Sequence, residues 1–275
     1  MALPHTDTLL LEQQEHALHI TLNRPQARNA MSLQMVNELM AVFDSIANDS
    51  AIRAVVLRGT NGHFCAGGDI KDMATARGKA TTVGDSREGN GEDNPFFALN
   101  RQFGRLITQV DKAPQTVVAV LEGAVLGGGF GLACVSDVAI AAKDAQFGLP
   151  ETGLGVIPAQ IAPFVVQRVG LTQARRLALL GERFDGEAAL QLGIVHFAED
   201  TEQLEPKLAH VLAQIKRCAP DANRKTKALM HRVGHEPMET LLDDAASDFA
   251  HAVSSEEGAE GTLAFVQKRL PSWAQ

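Results

Sequence analysis

The chain has 275 residues, 45% of them hydrophobic, and a formal net charge of −8 at pH 7. This apolar content is enough for a large core, whereas the acidic balance argues against binding nucleic acid or an anionic membrane. We find neither a run of about 18 apolar residues, as a transmembrane helix requires, nor a signal-peptide pattern. The cysteines Cys65, Cys134 and Cys218 lack metal-binding or CxxC spacing, so we expect reduced, mostly buried thiols in a cytoplasmic protein.

The first half of the chain alternates predicted strands and helices. The segment HALHITL alternates apolar and polar residues, which predicts a half-buried strand, and NRP ends it. Ser32 is expected to cap a helix with an apolar stripe, and AIRAVVLRG predicts the next strand. The same order recurs in QTVVAVLEG, in the glycine run that follows it and in DVAIAAKDAQFG. This alternation predicts a layered α/β fold.

The remaining segments are a polar stretch and a helical second half. Between Met73 and Phe96 the chain is polar and rich in glycine, which is typical of a surface loop or of a pocket wall or lid. Beyond Pro158 the pattern is helical, with Thr172 and Asp185 as expected caps and Gly181 as an expected stop. Three longer amphipathic stretches follow, around 204–215, 224–233 and 238–253. We therefore expect an α/β core over residues 1–200 and a helical region over 201–275.

Two glycine-rich turns follow predicted strands, in NGHFCAGGDIKDM and in AVLGGGFGLACVSD. Glycine lets a ligand approach backbone N–H groups closely, and a helix N-terminus adds unpaired N–H groups. Neither turn matches a GxxxxGK[ST] or GxGxxG phosphate loop. Close helix packing is the alternative for the run of three glycines alone. Together, however, the two turns can present two N–H groups to one oxygen, as an oxyanion hole requires.

Five segments in order resemble the crotonase, or enoyl-CoA hydratase/isomerase, superfamily. They are LNRPQARNAMS, HFCAGGDIKDM, GAVLGGGFGLACVSDVAIA, AQFGLPETGLGVIP and EGTLAFVQKRLPSW. The resemblance implies a spiral of ββα units that holds a thioester site in residues 1–200. It also implies that the helical region 201–275 serves trimerisation and covers coenzyme A, in homotrimers or dimers of trimers. The implied substrate is an acyl-CoA thioester, with no separate cofactor and no metal.

The resemblance also implies site residues. The oxyanion-hole amides correspond to Gly68 and Gly128, and the acid–base carboxyl corresponds to Glu151 in QFGLPE, whose apolar flanks would raise its pKa. Coenzyme A would contact two N-terminal segments and the C-terminal helix of a neighbouring subunit. The corresponding residues are Ala27, Arg28, Ala30, Ala66, Gly68, Asp69, Ile70, Phe265 and Lys268. For Arg28 and Lys268, a plain solvated surface charge is the alternative.

One expected carboxylate is missing, because Gly131 stands where typical hydratases of this family carry another glutamate. Either Glu151 makes both proton transfers, or another polar group serves, or the reaction is not a hydration. The candidates for that other group are Gln160, Glu122, Glu92 and Asp93. We further expect Gly131 to open volume beside the thioester for a branch or a water.

The substrate class is inferred from resemblance within the family. GGGFGLA and IPAQIAPFVV resemble bacterial hydratases of branched glutaconyl-CoA thioesters, and Ala162 and Pro163 would reshape the acyl pocket. The favoured member acts on isohexenylglutaconyl-CoA in acyclic-terpene breakdown, and the alternative acts on methylglutaconyl-CoA in leucine breakdown. Arg77 and Lys79 are candidates to bind the distal carboxylate. The sequence is also compatible with an isomerase or decarboxylase of the same fold and with a non-catalytic acyl-CoA-binding protein.

Overall fold

The fold is built on two sheets, and the computed structural model describes residues 3–69, 71–72 and 94–275. The strands are β1 (Leu9–Gln14), β2 (Ala17–Leu22), β3 (Ala54–Gly59), β4 (Thr116–Leu121), β5 (Ala124–Leu126), β6 (Val138–Ala142), β7 (Gln146–Gly148), β8 (Arg183–Phe184) and β9 (Phe197–Glu199). Within the described residues, the larger sheet has the order β1-β2-β3-β4-β6-β9, and the smaller has β5-β7-β8. β1 is antiparallel to β2, and the other neighbours in the larger sheet are parallel. The predicted α/β fold is thus confirmed.

The helices lie between these strands and fill the C-terminal region. They are α1 (Leu33–Ile46), α2 (Pro95–Asp111), α3 (Gly128–Val135), α4 (Ala162–Leu180), α5 (Gly186–Gln191), α6 (Leu204–Arg217), α7 (Pro220–Arg232), α8 (Met238–Ser254) and α9 (Glu256–Val266). Single 3₁₀ turns span Pro25–Ala27, Thr152–Leu154, Thr201–Gln203 and Ser272–Ala274. Within the ranges that the structure describes, no helix combines the length and the apolar character that a bilayer crossing requires.

Most local signals at the helix ends agree with the sequence. The Ser32 hydroxyl accepts a hydrogen bond from Met35 N, and the Asp185 carboxylate accepts one from Ala188 N, so these two predicted caps are confirmed. Gly181 ends α4 in the left-handed conformation, as predicted. Thr172 is not a cap, because it lies inside α4. The helix is interrupted at Gly170, where φ is 75° and ψ is 159°, and continues on both sides of it.

An aromatic cluster fixes α3 against the smaller sheet. Phe130 on α3 meets Phe147 and Phe184 edge-on, with ring centroids 6.3 and 6.2 Å away. Phe147 and Phe184 stack on each other at 5.8 Å. Such contacts stabilise by about 0.5–1.5 kcal/mol each beyond the burial of their area. Since α3 begins at Gly128, the cluster also holds that glycine in place.

Polar contacts attach the C-terminal helices to the larger sheet. Lys227 on α7 lies 2.7 Å from Asp137, whose carboxylate also accepts from Val117 N at 2.7 Å. The Arg53 guanidinium donates to the carbonyl of Trp273. The last strand, β9, pairs with β6, and only helices and turns follow it in the described chain. The division into two functional regions at residue 200 stays a prediction.

Candidate active site

The two glycine-rich turns lie side by side because their backbones are paired. Cys65 N donates to Ala124 O at 2.8 Å, and Leu126 N donates to Cys65 O at 2.9 Å. The turns then bend at Gly67, with φ 106°, and at Gly127, with φ 50°, values that glycine adopts without strain. A Cβ placed on Gly127 would lie only 3.5 Å from Gly67 Cα. This pairing places the residues that follow, Gly68 and Gly128, close together.

The glycines Gly68 and Gly128 line one cavity of about 460 Å³, and Glu151 lines it with them. In the described part of the chain, neither glycine amide donates a hydrogen bond to another protein group. Gly128 is the first residue of α3, where helix geometry leaves the N–H unpaired. Most of the wall is apolar and includes Met31, Val36, Leu99, Phe103, Val156 and Ile161. The cavity therefore has unpaired amide donors beside an apolar volume.

The carboxyl of Glu151 is partly buried, and few groups nearby stabilise its ionised form. Its Oε2 atom is buried and has no hydrogen-bond partner in the part of the chain that the structure describes. Burial raises the pKa of Glu151, and a hydrogen bond from its own backbone N–H offsets this only in part. A Cβ on Gly127 would lie 2.8 Å from Oε1, so the glycine leaves room for the carboxyl. A carboxyl with a raised pKa is suited to take up and return a proton.

The glycine at 131 does not open volume, and that expectation was wrong. A Cβ on Gly131 would collide with Cγ2 of Ile161, whose side chain is only 2% exposed, and it would lie 3.5 Å from Ile107 Cδ1. The space of the missing glutamate is therefore filled by an apolar side chain. A neighbouring glycine also serves packing, because a Cβ on Gly129 would lie 2.7 Å from the Cys65 Cβ.

The candidates for another polar group separate into three kinds. Gln160 lines the cavity. Glu122 is not part of the described cavity wall, and its carboxylate lies 3.5 Å from Arg58. The remaining two candidates, Glu92 and Asp93, fall outside the described residues, as do Ile70, Arg77 and Lys79. Among the residues that the structure describes, no group of three or more His, Cys, Asp or Glu side chains is placed to hold a metal ion.

The two N-terminal segments that the family resemblance predicts to bind coenzyme A are in contact with each other. Ala66 N donates to Arg28 O at 3.0 Å, and the Arg24 guanidinium pairs with Asp69 at 2.7 Å and donates to the carbonyl of Ala30. Ala27 ends the adjacent 3₁₀ turn, and Arg28 follows it in the left-handed conformation with its side chain exposed. The two segments therefore form one continuous surface next to Gly68.

The C-terminal residues that the family resemblance predicts to bind coenzyme A lie outside the described wall of the cavity. Phe265 is 85% exposed on α9, and the exposed Lys268 follows that helix. Neither residue belongs to the described wall of the cavity. Their contact with a nucleotide held by a neighbouring subunit stays a prediction.

The chain is similar to known proteins over nearly its whole length. Residues 12–275 match the family model described as enoyl-CoA hydratase/isomerase. The chain is 61% identical to the solved structure of Pseudomonas aeruginosa AtuE, with a TM-score of 0.92 and coverage of 98% of this chain and 100% of the other. An enoyl-CoA hydratase/isomerase from Marinobacter aquaeolei gives the same identity and TM-score, with coverage of 98% and 99%. A probable enoyl-CoA hydratase of Bacillus subtilis (strain 168) is 31% identical over 256 residues, which is 92% of this chain and 93% of that protein.

The chain belongs to the enoyl-CoA hydratase/isomerase family. The crotonase fold that the five motifs implied is confirmed, because both solved relatives superimpose over nearly the whole chain. The enzyme class is confirmed as well, since relatives across that length are named enoyl-CoA hydratases. The protein is accordingly an enoyl-CoA hydratase-type lyase, and its substrates are coenzyme A thioesters.

Proposed function

We propose that this enzyme hydrates a branched glutaconyl-CoA-type thioester, with isohexenylglutaconyl-CoA of acyclic-terpene (citronellol) breakdown favoured over methylglutaconyl-CoA of leucine breakdown. The motif resemblance supports the substrate class, and the largely apolar cavity has room for a branched chain. The observation that carries the chemistry is the unpartnered Glu151 carboxyl in the same cavity as two unpaired glycine amides.

In this proposal the amides of Gly68 and Gly128 hold the thioester oxygen. Addition of water to Cβ moves negative charge onto that oxygen, and two N–H donors stabilise the enolate that forms. The donors are fixed before the substrate binds, because the backbone pairing of the two turns sets their positions. Loss of one such donor typically lowers the rate about 10²–10³-fold.

Glu151 makes both proton transfers in the proposed mechanism. As a carboxylate it takes a proton from the attacking water while the hydroxyl bonds to Cβ, and it then gives that proton to Cα of the enolate. The sum is one water added across the double bond, with Glu151 returned to its starting state. The apolar Ile161 packed on position 131 supports a single carboxyl, because it occupies the space of the other.

Coenzyme A recognition and assembly complete the proposal. Ala27, Arg28, Ala30, Ala66 and Asp69 cradle the coenzyme A part of the substrate beside the oxyanion hole. The chain assembles as a homotrimer or a dimer of trimers, in which Phe265 and Lys268 cover the nucleotide of a neighbouring subunit. Exposed apolar side chains on α8 and α9 support assembly, including Phe249 at 70% and Val266 at 77%. No separate cofactor or metal enters the mechanism, and a cytoplasmic location stays a prediction.

The test is a turnover screen of the purified full chain. Crotonyl-CoA, 3-methylglutaconyl-CoA and isohexenylglutaconyl-CoA are each incubated with the enzyme, while the enoyl absorbance and the product mass are followed. We expect loss of the enoyl absorbance and a gain of one water, fastest with the isohexenyl substrate. A product of unchanged mass identifies an isomerase, loss of carbon dioxide a decarboxylase, and tight binding without product a non-catalytic member.

A further inference from the structure

Two side-chain amides on the cavity wall have no role in the mechanism above. The carboxylates of Asp69 and Asp72, which also line the cavity, are occupied by Arg24 and by Leu33 N at 2.7 Å each. Among the other described polar side chains of the wall, besides Glu151, the amides of Asn100 and Gln160 remain. They are therefore available to bind a polar group of the substrate.

The Gln160 amide is held in one orientation. Its Nε2 donates to Asn100 Oδ1 at 2.9 Å, and its Oε1 accepts from Arg101 Nη1 at 3.3 Å. Gln160 directly precedes Ile161, whose side chain packs on Gly131 at the position of the missing carboxylate. The Gln160 side chain is thus hydrogen-bonded to two residues of α2, and its backbone is adjacent to the residue that packs on Gly131.

A glycine on α2 makes room for this amide. A Cβ on Gly104 would overlap Gln160 Oε1 and would lie 2.7 Å from Arg101 Nη1. Gly104 is buried and lies one turn beyond Asn100 on the same helix face. Because glycine weakens a helix interior by about 1 kcal/mol, its presence here fits a position that must accommodate the carboxamide.

In the cluster of Asn100, Arg101 and Gln160, several N–H donors have no hydrogen-bond partner among the described residues. The Asn100 oxygen already accepts from Gln160, so the Asn100 amide keeps two N–H groups with no side-chain partner among the described residues. Gln160 retains a second N–H as well. The guanidinium of Arg101 has no carboxylate partner in the described ranges of the chain, so its positive charge polarises the Gln160 carbonyl. Such a group binds an anionic oxygen better than a neutral one.

We propose that the Asn100–Gln160 amide pair, backed by Arg101, binds a carboxylate at the distal end of the acyl chain. This proposal rests on the proposed function, because it places the acyl chain in the cavity. It gives the enzyme a basis for choosing thioesters of dicarboxylic acids over those of simple fatty acids. The amides are specificity-determining groups and take no part in proton transfer.

The test compares two thioesters that differ only at this end. 3-Methylglutaconyl-CoA carries the carboxylate, whereas 3-methylcrotonyl-CoA has a methyl group in place of the carboxymethyl group. For Gln160→Leu we expect KM for the carboxylated thioester to rise roughly tenfold to a hundredfold. The kinetics of the uncharged thioester stay within about twofold. Gln102→Leu is the matched control, since Gln102 lies on α2 outside the described cavity wall and bonds to Asn37.

A second variant tests the position of the carboxamide, and a binding measurement tests the inference without turnover. Gly104→Ala displaces the carboxamide without removing it, and it should produce the same substrate-selective rise in KM. An equal fall of kcat for both thioesters would assign the amides to the reacting water and overturn the proposal. If the wild-type enzyme hydrates neither thioester, the proposed function fails, but calorimetric binding still decides the inference. In that case Gln160→Leu must weaken only the carboxylated thioester.

Discussion

In the proposed mechanism, the carboxyl of Glu151 determines how the rate depends on pH. Burial raises its pKa, and only the ionised form accepts a proton from water. We therefore expect kcat/KM to fall on the acid side through a pKa above the ordinary carboxyl range. The pH profile of the wild-type enzyme with its best thioester checks this. An acid limb at an ordinary carboxyl pKa would remove Glu151 from the proton-transfer role.

Removal of the same carboxyl should abolish turnover but preserve binding. Glu151→Gln keeps the shape and loses the base, so kcat is expected to fall by about 10²–10⁴-fold. Affinity for the thioester, measured by calorimetry, should stay nearly unchanged. Glu122→Gln is the control, because Glu122 pairs with Arg58 and does not line the described cavity. A rate loss for Glu122→Gln equal to that for Glu151→Gln would contradict this assignment.

The raised pKa of Glu151 also makes the free energy of unfolding depend on pH. A carboxyl whose folded pKa exceeds its unfolded pKa destabilises the folded state as pH rises through the interval between them. Glu151→Gln lacks this ionisation, so we expect it to be more stable than the wild type at pH 8. The difference should shrink toward pH 4. Urea unfolding at several pH values measures it, and a difference independent of pH would rule out the ionisation as its cause.

At the scale of elements, α3 and the start of α4 pack together where Gly131 meets the side chain of Ile161. This is the position at which the family resemblance leads us to expect another glutamate. Gly131→Ala forces a Cβ into Ile161 Cγ2 and should destabilise by about 1–3 kcal/mol. Ile161→Ala should cost about 2–5 kcal/mol, because it leaves a cavity. In the double variant the new methyl occupies part of that cavity. We therefore expect a loss smaller than the sum of the single losses, measured by urea unfolding. Strict additivity would show that the two residues do not compete for one space.

The elements also show what the sequence can predict. The caps at Ser32 and Asp185 and the stop at Gly181 depend on neighbouring residues, and the structure confirms them. The space beside Gly131 depends on Ile161, thirty positions away, so a local pattern gives no signal for it. The cavity-facing amide of Asn100 was missed for the same reason. Its one sequence signal is a polar residue four positions before Gly104 in an otherwise apolar stripe.

At the scale of the whole molecule, a partly buried ion pair joins the C-terminal helices to the larger sheet. The side chain of Lys227 is 14% exposed, and it bridges Asp137 and the carbonyl of Gln115. Burial raises the pKa of Asp111, and the charge of Lys227 offsets that rise only in part. Lys227→Met leaves these acids without that cation. We expect a loss of about 1–3 kcal/mol in the free energy of unfolding.

Lys225 provides the matched control for this prediction. It lies on the same helix, with a more exposed side chain paired to Asp221 at 3.2 Å. Lys225→Met should change the free energy of unfolding by about 0.5 kcal/mol or less. Chemical denaturation of both variants makes the comparison. Equal losses would mean that the contact between Lys227 and Asp137 does not hold the two regions together.

The backbone ladder between the two glycine turns has an evolutionary consequence. Main-chain amides are present whatever side chains a gene encodes, so most single substitutions leave intact the groups that polarise the thioester in the proposed mechanism. The side chain at 160 can change without removing those amides, whereas changes at 131 and 161 have to compensate each other because the two residues pack together. A lineage with this scaffold can therefore exchange one acyl preference for another while it keeps the ability to stabilise an enolate.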